Sequence, residues 1–575
     1  MQTVKRLYLY GVLGVALALL LWGLTDLLRF ALDQVARAVG TSPALGAQFA
    51  GEELSRAVAL VIVAGSIFTV HLALVRQGLR GLPGAVADER ASVARSSYFF
   101  LALVGTGAVL GLALIDLVEG LITTVGFGER GWQPVAPLAS ITVFGVAWLL
   151  HLRIRRHDLR SLPQRLAGDW LTRAYLYGTL LVTLLIATIE TGEVLVASAR
   201  WVLDLRPAWV PDDWWQESIS GPLAATIVVS AAWLSHWLLG TRLLQAPDPM
   251  GAAHRRSLTR RGYFLTLVLV GTSAVLLLAT LALRHILAEM QGAWRSTEGS
   301  TLLEEIGGPL LMALPFVLAW WWHQRRVVHE ALAMGGVKLA RSAGRVARLV
   351  VAIVGLAGLA AGLAWQLQRL LDALGSSARG SIVTYPGFGA IDSAALALAI
   401  VGFVLWVPTW VLLQRDCAAH RLEVATDTAR RAYLTLVVGL AVVSAMGSLA
   451  YLVWQAARSL LGTAGPSDVS WAVSILSVAA VVLLYHLWQL RSDLLISHVE
   501  PEVSPEPEVS PEPDGPWAPQ GLPDPEAGLA ADGPPCAHET IEITAPPGSD
   551  FRVLNAAIRS ELPDGYQLRV LSHRP

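Results

Sequence analysis

Three carboxylates stand at the same place in a recurring pattern. Asp26, Asp116 and Glu193 each follow a tyrosine by eighteen residues, and each lies inside an apolar run. Glu119 and Glu190 add an acid one turn from the second and third members. Ionisable groups inside a membrane span are costly and commonly mark an ion or substrate path. Such a cluster would suit a proton, a cation or an amine. The competing account is positional. Eighteen helical residues rise about 27 Å, almost the full ~30 Å hydrocarbon core, so the acids would reach water at the outer interface. Against a passive role, an acid near a helix C-terminus opposes the helix dipole.

A second ladder is made of histidines. His71, His151, His236, His323 and His486 recur beside aromatic residues, as in Trp320-Trp321-Trp322-His323 and Tyr485-His486-Leu487-Trp488. Regular His spacing invites a metal or proton-relay reading, whereas the aromatic company points to an inner-interface belt. Pro137, Pro222 and Pro309 each precede their His by fourteen residues. They are expected to begin helices, where a missing N–H costs little. Fourteen residues rise about 21 Å, which leaves each His roughly 9 Å from the inner surface. That is about 18 Å from the acids by the same measure, too far for pairing. Tyr8, Tyr98, Tyr175, Tyr263 and Tyr433 form a companion ladder. Both ladders are read as interfacial anchors, and Asp416 and Asp493 as solvated charge at helix ends. The turn at 200–221 carries Trp201, Trp209, Trp214, Trp215, Asp212, Asp213 and Glu217. It could capture a cation through cation–π attraction or simply anchor at the interface. His285, after Arg284, interrupts its apolar run at the outer end.

The elements that must carry these residues are long helices. The chain has 575 residues, 54% hydrophobic and only 15% charged, with mean hydropathy +0.54. Soluble domains carry about 25% charge. Twelve apolar runs between residues 7 and 490 are long enough to cross a bilayer. The fold expected is an all-α integral membrane protein of twelve transmembrane helices, arranged as six parallel two-helix repeats. The first run follows Lys5 and Arg6 and is read as a retained helix, because Tyr8 and Asp26 match later copies. Openers of the Arg-x-Tyr type recur at intervals of 77–90 residues, and closers at 77–87. Repeats are placed at 1–90, 91–168, 169–255, 256–341, 342–426 and 427–498. Copy five departs most, with Val350 and Thr409 in place of Tyr and His.

Of 43 Lys and Arg residues, twenty-eight lie at the N-terminus, between repeats or at the exit of the last span, and eleven at turns within repeats. The positive-inside rule then puts both termini in the cytoplasm. The bias towards Arg suggests a bacterial inner membrane. Net charge of −1 gives no reason to expect a nucleic-acid partner. Cys417 and Cys536 lack disulfide or zinc spacing. Phosphate-loop, zinc-protease, hydrolase and dinucleotide fingerprints are missing from the sequence, so no catalytic residue, cofactor or metal is assigned.

Residues 499–537, rich in Pro and Glu, are read as a disordered linker. Residues 538–575 regain alternation around Ile541 and Leu568 and are read as a small cytoplasmic strand–helix–strand segment.

The opener Arg173-Ala174-Tyr175-Leu176 and the closer Trp148-Leu149-Leu150-His151-Leu152 resemble an uncharacterised bacterial membrane family, domain of unknown function 5671, over roughly residues 1–495. The resemblance implies no reaction, cofactor or catalytic residue. Three functions follow from the sequence, of which a membrane enzyme or sensor with an unrecognised site ranks last. The first is a membrane scaffold or interaction protein whose tail, 499–575, recruits a cytoplasmic protein. The second is a transporter or channel for protons, cations or amines that uses the acids of repeats one to three. The lipid bilayer is the partner common to all three.

Overall fold

The computed structural model describes residues 2–39, 47–80, 83–129, 132–160, 170–205, 213–245, 251, 254–255, 257–292, 301–378, 392–461 and 469–498. The chain divides into a unit at Met1–Pro501 and a second at Glu502–Pro575. The linker and the strand–helix–strand segment expected at 499–575 lie outside the described residues, as do Trp209, Asp212 and Cys536.

Every regular element among the described residues is helical. We label them α1 (Gln2–Ala38), α2 (Ala47–Gly78), α3 (Pro83–Arg90), α4 (Val93–Leu121), α5 (Val135–Arg160), α6 (Trp170–Val202), α7 (Trp214–Gln245), α8 (Leu258–Met290), α9 (Leu302–Ala378), α10 (Ser393–Ala419), α11 (Arg421–Ala425), α12 (Thr428–Leu460) and α13 (Ser470–His498). Twelve helical stretches among these are long and apolar enough to cross a membrane. The described residues form an all-α, multi-pass membrane fold.

Element α9 carries two of the twelve, Leu302–Leu332 and Gly336–Gly375. It is not a single rod. Gly336 has φ +66°, a conformation that costs glycine nothing. Beyond it, Gly344 lies against Val328, whereas sixteen residues of straight helix would separate them by about 24 Å. The chain therefore folds back on itself, and the two stretches are called α9a and α9b below.

Local chemistry starts several helices. Ser92 accepts from the Arg95 amide to cap α4, Asp392 from Ala394 and Ala395 to cap α10, and Asp427 from Ala429 to cap α12. Thr301 and Glu304 make a reciprocal capping box at α9a, at 3.2 and 3.3 Å. Two of the prolines expected to begin helices do not. Pro222 is eight residues into α7 and Pro309 seven into α9a. The turns ahead of them are held by tertiary contacts. Trp215 stacks on Trp201 and meets Phe127, and Glu304 pairs with Arg200 at 2.9 Å.

The hairpins group in twos. One buried cluster joins Tyr10, Leu13 and Leu17 to Val75, Tyr98 and Ala147. The next joins Tyr177, Leu180 and Leu184 to Trp237, Tyr263 and Leu267. The third joins Leu349, Ala352 and Leu356 to Trp410, Tyr433 and Val437. The first three members of the first two clusters are related by one shift of 167 residues (10 to 177, 13 to 180, 17 to 184). The bundle is thus a tandem of three four-helix bodies: A (α1, α2, α4, α5), B (α6, α7, α8, α9a) and C (α9b, α10, α12, α13). In each, the first helix packs against the other members in the same scheme, and the third helix of A and of B also packs on the first two helices of the next body.

The tightest crossing is α9b on α10. A Cβ at Gly355 would come within 2.7 Å of the Trp406 amide nitrogen, and one at Gly362 or Gly402 would run into the backbone of Ala399 or Leu359. Small residues let membrane helices approach this closely.

Candidate functional site

The two ladders meet. In four of the six hairpins the opening tyrosine's hydroxyl lies against Nε2 of the closing histidine: Tyr98–His151 at 2.8 Å, Tyr263–His323 at 2.9 Å, and Tyr175–His236 and Tyr433–His486 at 3.4 Å. The first hairpin keeps Tyr8 and His71 as ring neighbours, 5.9 Å between centroids. The other ring nitrogen fixes the tautomer. Nδ1 of all five histidines lies 2.7–2.9 Å from the carbonyl oxygen one turn back. A carbonyl only accepts, so Nδ1 carries the proton and Nε2 accepts from tyrosine. In copy five, where Tyr and His are both replaced, the Thr409 hydroxyl keeps the backbone half of the pattern by donating to Leu405 at 2.8 Å.

A second pair flanks the first, but only in the even hairpins. Three residues before the tyrosine stands an Arg, and seven after the histidine an acid. Arg95 meets Asp158 at 2.7 Å, Arg430 meets Asp493 at 2.6 Å, and Arg260 pairs with Glu330. At the same offsets the odd hairpins carry Lys5 and Gly78, Thr172 and Leu243, and Ala347 and Asp416, none of them an interacting charge pair. The pairs at the two ends of the tandem are deeply buried, with Arg430 and Asp493 side chains 2% and 3% exposed. Asp493 is therefore a buried partner, not the solvated helix-end charge expected from its position. Asp416 is likewise engaged, with Arg345.

Aromatic faces complete the layer. Arg95 lies over Phe99, Arg260 over Phe264 and Arg430 over Trp410, at 5.1–5.6 Å from the centroids. Each is a cation–π contact in a desolvated setting. In body A, Arg95 donates to the Tyr10 hydroxyl at 3.0 Å, Tyr10 donates to Glu89 at 2.8 Å, and Arg6 closes the chain on Glu89 at 2.7 Å. In body C, Arg345 reaches Glu423 and Asp427 at 2.9 Å each. Glu423 lies between spans, and its hydrogen bond from Arg345 holds its carboxyl below the usual carboxylate range.

The acids singled out at the opposite helix ends are placed less uniformly. Asp26 pairs with Arg56 across α1 and α2 at 3.3 Å. The Glu119 carboxylate rests on Gly221, 3.4 Å from where a Cβ would stand. Asp116, Glu190 and Glu193 have no ion pair among the described residues, and Glu190 lies near Glu193 on one helix face. His285 contacts Glu305 at 2.7 Å, joining α8 to α9a. Among the described residues no three His, Cys, Asp or Glu side chains are grouped so as to hold a metal ion. A groove of about 720 Å³ lies between α1 and α2 and is walled by Val12, Val15, Leu19, Val63 and Ile67, with Arg56 at one end.

One comparison bears on this layer. Residues 6–132 match the family model described as Domain of unknown function (DUF5671). The DUF5671 match takes in α1, α2 and α4 of body A, and so includes Tyr8, His71, Arg95 and Tyr98 but stops short of His151 and Asp158. No curated protein and no solved structure matches the chain.

The Arg–acid pairs, called pins below, escape a reading of the sequence because each Arg or acid, taken alone, looks topogenic or solvated. The available signal was alternation. The offsets of −3 from Tyr and +7 from His carry opposite charges in copies two, four and six only.

Proposed function

We propose that this protein is a membrane scaffold, a rigid multi-pass body that presents loops and a tail to protein partners. The observation that carries this reading is how its buried polar groups are used. The Tyr–His pairs and the Arg–acid pins hold one helix to another, and the groove between α1 and α2 is walled almost wholly by apolar side chains. A buried ion pair between two helices can specify one arrangement of them. The distribution of Lys and Arg supports an inner-membrane bacterial location with both termini in the cytoplasm. The recruiting element is the tail at 499–575. Deleting it should abolish partner recovery in a crosslinking pull-down while insertion persists. An unchanged partner set would overturn the proposal.

One observation favours a second reading, transport of protons, cations or amines. Asp116, Glu190 and Glu193 lie within spans without a cationic partner among the described residues. On this reading Glu190→Gln and Glu193→Gln slow cation or amine flux in proteoliposomes by roughly tenfold or more, the scale of about 1.4 kcal/mol. Asp26→Asn, which only loses Arg56, leaves flux unchanged. Equal flux in all variants removes this reading.

A further inference from the structure

We infer that the chain associates head to tail with a second copy of itself, α12 of one copy seating in the groove between α1 and α2 of the next. The basis is a junction that the chain already makes twice. The third helix of body A packs on the first two helices of B, and the third helix of B on the first two of C. The third helix of C is α12, and the first two helices of A are α1 and α2. Among the described residues, each is half of the same junction without its counterpart.

The two internal junctions supply a register. At the second, Leu276, thirteen residues past Tyr263, sits on Gly358, eight past Val350; a Cβ there would come within 2.9 Å of the leucine methyls. The same steps from Tyr433 and Tyr8 lead to Met446 and Ala16. Met446 is 65% exposed, and Ala16, itself only 3% exposed, forms part of the floor of the groove. At the first junction, Glu119, twenty-one past Tyr98, sits on Gly221, fifteen before His236. Those steps lead to Trp454 and Arg56. Trp454 is 52% exposed, with Arg458 of its own helix 5.0 Å from its ring centroid, and Arg56 stands at the end of the groove beside Asp26. One placement of α12 therefore lays Met446 on Ala16 and brings Trp454 to the Arg56 guanidinium, a cation–π pair.

The open end of body A fits this placement. Tyr175, at the head of body B, is only 9% exposed, and Trp148 on α5 of the preceding body donates to its hydroxyl at 3.0 Å. Tyr8, the same residue at the head of body A, is 61% exposed. Gly11 and Ala59 in the groove wall allow close backbone approach, the requirement for helix association in lipid. The contact is heterologous, one surface meeting a different surface. It is independent of the tail and of the scaffold reading.

The test uses full-length chains with Cys417 and Cys536 replaced by Ser, in two differently tagged copies expressed together. Val12→Cys in one and Met446→Cys in the other should give a two-tag crosslinked product under mild oxidation. We expect it to exceed the Val12→Cys/Val12→Cys and Met446→Cys/Met446→Cys pairings by roughly tenfold, the equivalent of about 1.4 kcal/mol. Filling the groove with Val15→Trp should remove the product while protease accessibility of the loops is unchanged. No two-tag product means that lipid alone covers the groove, and product from like pairings means a two-fold dimer; either overturns the inference. Energy transfer between fluorescently tagged native chains in vesicles supplies a check free of cysteine variants. Transfer that does not fall on dilution with untagged chain also overturns it.

Discussion

The Tyr263 hydroxyl donates to His323 Nε2 at 2.9 Å, and both side chains are buried, 3% and 1% exposed. Tyr263→Phe leaves the imidazole nitrogen without its donor, and His323→Ala leaves the hydroxyl without its acceptor. Hydrogen bonds between membrane helices are worth about 0.6–2 kcal/mol, so a double-mutant cycle on this pair should return coupling of that size. Tyr8→Phe, at an exposed position, should change stability by less than about 0.5 kcal/mol. Unfolding in bicelles reads both, and zero coupling at 263 and 323 would remove the pair as a stabilising element.

Copy five offers a reconstruction. Val350→Tyr alone places an extra ring and an unpartnered hydroxyl at a half-buried position, at a cost of about 1–3 kcal/mol. Adding Thr409→His supplies the acceptor seen in the other hairpins. The double variant should melt above Val350→Tyr. If it melts at or below the value given by adding the two single effects, the Tyr–His geometry does not carry over to this hairpin.

The Arg430–Asp493 pair at 2.6 Å predicts a strong asymmetry. Arg430→Met or Asp493→Leu each strands a buried charge and should cost about 3–5 kcal/mol. Making both changes removes the two charges together and should restore most of the loss. Thermal unfolding of the purified protein decides this, and additive losses in the double variant would contradict it.

Acid should weaken the latch at Arg345. Its partner Glu423 has a carboxyl held below the ordinary range by that hydrogen bond. Its contribution is therefore fully present above the unfolded value of about 4.3 and is lost as pH falls through the depressed folded value. The stability gap between the native chain and Glu423→Gln should be constant above about pH 5 and close on further acidification. A gap that widens in acid would mean the opposite sign of shift.

Helix crossing at α9b and α10 can be probed with one methyl group. Gly402→Ala drives its Cβ into the backbone of Leu359 and should destabilise by about 1–3 kcal/mol, whereas Gly439→Ala has nothing within 4 Å and should gain about 0.5–1 kcal/mol in helix propensity. Comparable effects of the two would mean that the crossing is looser than described.

The helical class, the twelve spans and the Tyr and His ladders were legible because apolar length and spacing are local properties of the chain. The pairing of the ladders was within reach as well. Tyr and His of one hairpin lie at the same membrane depth, and Val350 and Thr409 are replaced together. What local reading could not supply was which helix turns towards which. Asp493 beside Arg491 looks like ordinary interfacial charge until α12 and α13 are packed and Arg430 is found against it. Likewise, Asp26 reads as a lone intramembrane acid until Arg56, thirty residues on, folds back to it.

The charge pins on alternate hairpins also set a schedule for synthesis. Arg95 is made 63 residues ahead of Asp158, and Arg430 63 ahead of Asp493. At about 5–20 residues per second, each guanidinium waits roughly 3–13 s for its acid to leave the ribosome. During that wait the third helix of the body holds an uncompensated cation near the bilayer. A nascent chain arrested between the two partners should thus be held at the translocon, and release should come in packets of four helices, not two.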